Sequence, residues 1–426
     1  MEQNEINIPE IPEKKNKKKI WLVAAGILAA CLLVGTMAFA CIVKLYNTSE
    51  RKLLKGFISL AEEFGDWNEI WKVETGKDFA NASDRMKLTT IMNVSGEDLP
   101  ITLGIDVESM RDMEAKRLKS SLIFSVSNTD LAEVITYADE KKIMLAMPDF
   151  FRQNLSFQTN HIERQYNQSL WAEKFGKMEE EEISIDLFAR EDKTEKEIDI
   201  EQLINKWKEM DTEGITIEEM EETVDHYTQY RIVLPQELVE SIIKTEELAS
   251  DVALLVSMDK RNRIMQIQFE EPVLISNGVK EPISVSGSMM FLGEERSIDD
   301  IAVRCEWDIP MDALELDEKT KEALEVFGNK SGLQDNIEFV TDMNIALDEN
   351  DISVVADLNK LTISVDRLGT YKITGSVKAE PLKEEIRPLE GETISLFEIT
   401  EEEYEDLTTQ ISHNLYKWIA ALESVY

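Results

Sequence analysis

The stretch VITYADEKKIMLAMPDFF, Val134–Phe151, decides how the rest of this chain is read. Val134–Ala138 and Ile143–Met147 are short apolar runs, and the polar tetrapeptide DEKK separates them. That is the pattern of a β-hairpin. Pro148 ends the second run, because proline has no N–H to give to a ladder.

The same period continues on either side. Upstream, RMKLTTIMNV sets Met86, Leu88, Thr90, Met92 and Val94 against Arg85, Lys87 and Asn93. ITLGIDVES alternates Ile101, Leu103, Ile105 and Val107, and RLKSSLIFSVS puts Leu118, Leu122, Phe124 and Val126 on one side. Such segments predict antiparallel strands with one face toward a core and one toward water. Downstream, VALLVSMDKRNRIMQIQFEE is a second hairpin, turning at DKRN. PISVSGSMMFLG, IAVRCEWDIP, IEFVTDMNIAL, DISVVADL, KLTISVD and TYKITGSVKAEPL follow, with turns at GEER and DENDI. About eleven to thirteen strands are expected overall, and a meander of that length curls rather than staying flat.

Helical periods flank these strands. TSERKLLKGFISLAEEFGDW places Leu53, Leu54, Phe57, Leu60, Ala61 and Phe64 at helical spacing. Residues 160–230 read as largely helical, with capping-box pairs Thr194/Glu197 and Thr216/Glu219, and the acidic run Glu179–Glu182 as an exposed loop. The C-terminal segment carries a third such pair, Thr400/Glu403, and a stripe of Tyr404, Leu407, Ile411, Leu415, Trp418 and Leu422. That stripe needs a cover, and one face of the curved sheet is the economical choice. The fold class is therefore α+β: a large curled antiparallel β-sheet, half-barrel-like, with packed helices behind one N-terminal transmembrane helix.

The N-terminal segment sets the expected location. Residues 20–43 contain no charge and are bracketed by Lys19 and Lys44. Twenty-four residues make about 36 Å of helix, enough for a hydrocarbon core of about 30 Å. Trp21 and Tyr46 sit near its ends, and Lys14, Lys15, Lys17, Lys18 and Lys19 precede it, which directs the N-terminus to the cytoplasm. Two processing readings stay open beside a retained anchor. LAAC at Leu28–Cys31 has the form of a lipobox, but apolar residues follow it where a polar tether is usual. AFA at Ala38–Ala40 fits signal cleavage, although the apolar run is longer than a signal core. Gly26 and Ala30 would let two such helices approach closely. The expected organisation is then a cytoplasmic tail over 1–19, the span over 20–43 and a juxtamembrane helix over 44–80. A β-meander followed by helices over 81–230, a second antiparallel β region over 231–399 and an amphipathic helix over 400–426 complete it.

Composition narrows the chemistry. The 426-residue chain has a net charge of −39. Residues 1–44 hold six lysines and four glutamates, so 40 basic and 81 acidic residues lie beyond them, near −41. Such a field repels phosphate backbones, so no nucleic-acid partner is expected. Cys31 and Cys41 lie in the apolar run, leaving Cys305 alone outside it, on the inward face of IAVRCEWDI as a small core residue. A large exported domain without disulfides suits an anaerobic or Gram-positive source.

The histidines, His161, His226 and His413, lack any bracketing motif, and His413 is expected to face solvent. No Walker loop, GxSxG or HExxH occurs. Gly287 in SGS (Ser286–Ser288) marks a bend or close packing, and DENDI (Asp348–Ile352) reads as a solvated turn rather than a calcium loop. No catalytic, cofactor-binding or metal residue is assigned, and no cofactor is expected.

MPDFFRQNLSFQTNHIERQYNQSLW is the most distinctive segment: strand, proline stop, aromatic pair, then a polar loop with Tyr166 and Asn167, a structural corner. YADEKKIMLAMPDFF followed by QYNQS, behind a single span, resembles uncharacterised membrane-anchored proteins of clostridial-type bacteria. In architecture, helices against a curled antiparallel sheet also resemble the half-barrel of lipoprotein carriers and related lipid-binding lipoproteins. Fold alone transfers no function, and no ligand residues carry over. The expected function is a membrane-anchored extracytoplasmic binding or scaffolding protein of the bacterial envelope, not an enzyme. It would meet the membrane through residues 20–43 and take a protein or a lipid-like hydrophobic ligand. Two other readings stand beside it: a sensor signalling through the short tail, whose INIPEIP could dock a partner, and a hydrolase using acidic residues.

Overall fold

The computed structural model describes residues 48–75, 84–96, 99–178, 183–188, 214–220, 227–243, 248–276, 282–310, 336–348, 352–365 and 369–425. The expected span over 20–43 lies outside them. Among the described residues no helix is long and apolar enough to cross a membrane.

Among the described residues seventeen strands form one sheet. The first group is β1 (Arg85–Gly96), β2 (Leu99–Asp112), β3 (Arg117–Val126), β4 (Thr129–Asp139), β5 (Lys142–Ala146) and β6 (Asn154–Gln158). The second is β7 (Thr216–Glu219), β8 (Thr228–Leu234), β9 (Val252–Met258), β10 (Ile264–Phe269), β11 (Val273–Ile275) and β12 (Ile283–Phe291). It continues through β13 (Ile301–Pro310), β14 (Asn336–Asp348), β15 (Ser353–Val365), β16 (Gly369–Pro381) and β17 (Thr393–Ser395). The helices are α1 (Thr48–Thr75), α2 (Ile162–Asn167), α3 (Leu170–Phe175), α4 (Gln236–Ile243) and α5 (Glu401–Val425).

The ladders give two meanders zipped together in mid-sheet. β7 to β10 lead through β12, β13, β14 and β15 to β16, and β11 lies beside β10 along the same side of β12. β16 then pairs with β1, Met86 opposite Pro381 through Gly96 opposite Tyr371, and β1 leads on through β2 to β6. Among the described residues every ladder is antiparallel except β6 with β17. The rims are β7 and β17, four and three residues long, and among the described residues no ladder joins them, so the sheet stays open.

Both hairpins read from the sequence form with their turns where expected. Ala138 faces Ile143 across DEKK, and Met258 faces Ile264 across DKRN. The two turns use one device. Asp139 Oδ1 accepts the backbone N–H groups of Lys141 and Lys142, at 2.8 and 3.0 Å. Asp259 Oδ1 accepts those of Arg261 and Arg263, both at 2.8 Å, while Arg263 Nε donates to Asp259 Oδ2 at 2.9 Å.

Three expectations need correction. DISVVADL and KLTISVD are one strand, β15, in which a bulge between Leu358 and Leu361 keeps both leucines opposite β16 on the same face. Thr216 and Glu219 do not cap a helix; they bound β7, where Thr216 faces Val233 and Glu219 faces Tyr230. Pairing with β8 and packing of Ile217 on the core override the local capping signal. Residues 160–230 are helical among the described positions only over the short α2 and α3; the Thr194/Glu197 pair lies outside the described residues.

Residues opposite one another in an antiparallel pair share a face, so the ladders divide the sheet into two surfaces. One surface is apolar from β8 to β4, and α1 covers it at one end. Leu53, Phe57, Leu60, Trp67 and Trp71 of α1 join Tyr230, Leu254, Val256, Val285, Phe291 and Val303 in the largest core. Gly56 permits this approach, since a Cβ there would stand 2.8 Å from the Asn262 carbonyl oxygen. Glu63 fastens the helix further along by accepting the Ser297 N–H at 2.6 Å. Burial raises the Glu63 pKa, against the lowering effect of the Ser297 and Ile298 N–H groups.

At the other end α5 covers the same face, with Leu407 buried among Phe151, Leu155 and Ile394, and Trp418 against the core of Ile101, Val126 and Leu131. Its capping box forms as read: Thr400 N donates to Glu403 Oε2 at 2.8 Å and Glu403 N to Thr400 Oγ1 at 3.3 Å. The Thr400 N–H and the Thr400 hydroxyl, both donating to the Glu403 carboxylate, lower its pKa. Leu415 departs from the expected stripe and is 41% exposed. The expected corner is also present. Tyr166 donates to the Gly176 carbonyl at 3.0 Å, Asn167 exchanges bonds with Met178, and Trp171 Nε1 donates to the Leu396 carbonyl at 2.6 Å.

Candidate functional site: an apolar trough between two helices

Between the two covered ends the apolar surface crosses the longest strands. One transverse row of paired positions runs Cys305, Thr341, Leu361, Ile373, Val94, Leu103 and Val126. A neighbouring row runs Val303, Met343, Leu358, Gly375, Met92, Ile105 and Phe124. The opposite surface of the same strands carries Lys87, Lys378, Asp106, Glu108, Asp357, Asp342 and Arg304. Its charges pair locally, Lys87 with Glu108 at 2.8 Å and Arg304 with Glu306 at 2.6 Å. Over these central strands the sheet is two-sided, ion pairs on one face and mostly hydrocarbon on the other. Toward β4 and β5 the ion-paired face gains a small apolar cluster of Tyr137, Met144, Leu382 and Ile386, and Arg111 ends the hydrocarbon row of β2.

What distinguishes the hydrocarbon face here is incomplete cover. No side chain of β1 is buried, and Val377 and Leu122 are 38% and 37% exposed. A contiguous apolar surface that is left open marks a binding or association surface more often than scattered apolar residues do. The trough deepens where it meets the α1-covered end. There a cavity of about 160 Å³ is lined by residues that include Phe269, Met289, Val303, Cys305, Trp307 and Met343. Cys305 is a half-buried free thiol whose pKa burial pushes up, consistent with a small apolar role.

The other sequence candidates do not converge on this cavity. His161 begins α2 with φ 49°, and His413 is exposed on α5, as expected. His226 lies outside the described residues, as does most of DENDI, of which Asp348 ends β14. Gly287 does line the cavity, and it marks close packing: a Cβ there would meet the Arg304 carbonyl oxygen at 2.8 Å. Among the described residues no group of three or more His, Cys, Asp or Glu is placed to hold a metal ion. The trough itself escaped sequence reading. Alternation gives each strand an apolar face, but only the ladder order shows those faces adding up, with the described core contacts of α1 and α5 confined to the two ends.

No protein-family model matches the chain, and no curated protein matches it. Among solved structures, OprD of Pseudomonas aeruginosa aligns over 72% of this chain and 98% of its own at 7% identity, with a TM-score of 0.23. OpdQ of the same organism covers 69% and 96% at 9% identity and a TM-score of 0.16. A DUF1329 family protein from Desulfovibrio piger covers 76% and 91% at 8% identity and a TM-score of 0.15. Superpositions this loose carry no argument about function, so the trough stands on its own geometry.

Proposed function

We propose that the protein is a membrane-anchored, extracytoplasmic binding or scaffolding module of a bacterial envelope, without catalytic activity, whose trough receives an apolar ligand or an apolar partner segment. The observation that carries the reading is the half-covered hydrocarbon face spanning β14, β15, β16, β1 and β2, on which Arg111, near the end of β2, is the one charged side chain among the described strand residues. Water against that face is unfavourable by roughly 25 cal/mol per Å² of apolar surface, and an occupant recovers that term. The uncharged run over 20–43, the lysines before it and the likeness to single-span proteins of clostridial-type bacteria support the placement.

The test uses the full chain in lipid nanodiscs and reads the dye signal as the difference from empty nanodiscs of the same lipid. An environment-sensitive dye such as Nile red is expected to bind with a blue-shifted emission, and the paired substitution Met92→Asp and Ile373→Asp is expected to abolish this while the protein stays folded. Equal dye binding by both proteins would remove the trough as the site. Placement is tested separately: protease added to intact, wall-stripped cells should degrade the domain, and protection would overturn the topology.

A further inference from the structure

The deep end of the trough has a shape that selects its occupant. Gly287, Cys305 and Thr341 sit side by side on β12, β13 and β14. The row on one side of these small residues is Met289, Val303 and Met343, and the row on the other is Val285, Trp307 and Phe339. A line of small residues between two bulky lines leaves a notch, the cavity of about 160 Å³. An enclosed cavity of about 150 Å³ lined by aliphatic and aromatic side chains takes up benzene or xenon, and this notch, which opens onto the trough, offers space of that order. Among the described residues the lining includes no charged side chain. By register Thr341 shares the apolar face, while Ser286 and Ser288 alternate to the other one.

We propose that this notch seats a compact, uncharged apolar group of about the size of one aromatic ring, as the anchoring end of a ligand whose remainder lies along the trough. The proposal rests on the trough being a binding surface and adds the class of group recognised. Three features of the lining favour it. Trp307 and Phe269 offer ring faces and edges. Met289 and Met343 supply adaptable, polarizable sulfur on one wall. A carboxylate, phosphate or ammonium would lose its hydration and find no counter-charge, a cost that hydrocarbon contact does not offset. Volume sets the other limit. A long chain cannot be contained and must leave along the row toward Leu361 and Ile373.

Cys305 reports on occupancy without any added label. In full chain held in phosphatidylcholine nanodiscs, alkylation of Cys305 by iodoacetamide is followed by peptide mass spectrometry, which separates it from Cys31 and Cys41. Benzene is expected to slow that alkylation several-fold and to raise the melting temperature, and benzoate to do neither. Thr341→Leu fills the notch from β14 and should remove the benzene effects while Nile red still binds the trough. Cys305→Ile fills it from β13 and serves, by melting temperature alone, if Thr341→Leu does not fold. Benzene without effect, or acting equally on wild type and filled variants, with Nile red binding retained, would show the notch to be only a packing gap and leave the binding reading intact. Loss of Nile red binding to wild type as well would take both down.

Discussion

One face of one sheet is finished in two ways. Over β8 to β13 it lies beneath α1, and Trp71, Tyr230 and Phe291 are fully buried there. Over β15, β16 and β1 the side chains are just as apolar, yet none between Val354 and Ser364, between Thr370 and Glu380, or anywhere in β1 is buried. Hydrophobic content is therefore not what separates the two regions. The difference is a second layer, and it teaches that the middle of the sheet is held chiefly by ladders between strands of 12 to 14 residues, whereas the covered end is held by packing.

Truncation breaks the comparison most directly. Trp71→Ala empties a fully buried site beside Trp67, whose ring lies 5.4 Å away, and should cost about 3–5 kcal/mol in denaturant unfolding. A cost below about 1 kcal/mol would mean that α1 does not brace this end. Asp259→Ala is next. It strands two backbone N–H groups and the Arg263 guanidinium, and should cost about 1–3 kcal/mol at neutral pH. Burial raises the Asp259 pKa, but the bonds from Arg263 and Arg261 outweigh that and hold it below the ordinary aspartate value. Its contribution is therefore complete above the unfolded-state value of about 3.9 and is lost as pH falls through the lower folded-state value. The difference between wild type and variant should shrink only in strong acid.

Ile373→Ala, in the open trough, should cost only about 1 kcal/mol or less while weakening Nile red binding. A cost as large as that of Trp71→Ala would show that the middle has a cover after all. The smallest effect sharpens the picture of the closed end. The Tyr230 hydroxyl is buried in the core without a hydrogen-bond partner, and burial, with the nearby Glu219, pushes its pKa up to about 12. Tyr230→Phe should leave stability unchanged or raise it by up to about 1 kcal/mol, because the hydroxyl's desolvation goes uncompensated.

The long strands and both hairpins were legible because alternation and turn chemistry are local. Asp139 and Asp259 stand at the start of their turns in sequence as they do in space. The α5 capping box was legible for the same reason. β15 was divided at Asn359 because a bulge inverts the alternation, and only the opposing residues of β16 show that the strand continues. β7 was misread because Thr216 and Glu219 satisfy a helix signal that pairing with β8 overrides. β6, β11 and β17, at five, three and three residues, are too short to carry a period, and the parallel contact of Ile394 with Leu155 joins segments far apart in the chain. β8 did alternate, with Tyr230, Ile232 and Leu234 inward, but sat at the margin of a stretch read as helix. The trough is a property of strand order across the β1–β16 seam, which no single segment encodes.

The brevity of the two rims limits how this molecule can meet others. A sheet of this width ordinarily offers long unpaired margins on which further copies can grow by adding strands. Here one margin is four residues ending in Glu218 and Glu219, and the other is three residues aligned parallel to their neighbour. Neither is a template for a growing fibre. Assembly through the described part of the sheet is therefore directed broadside, onto a face.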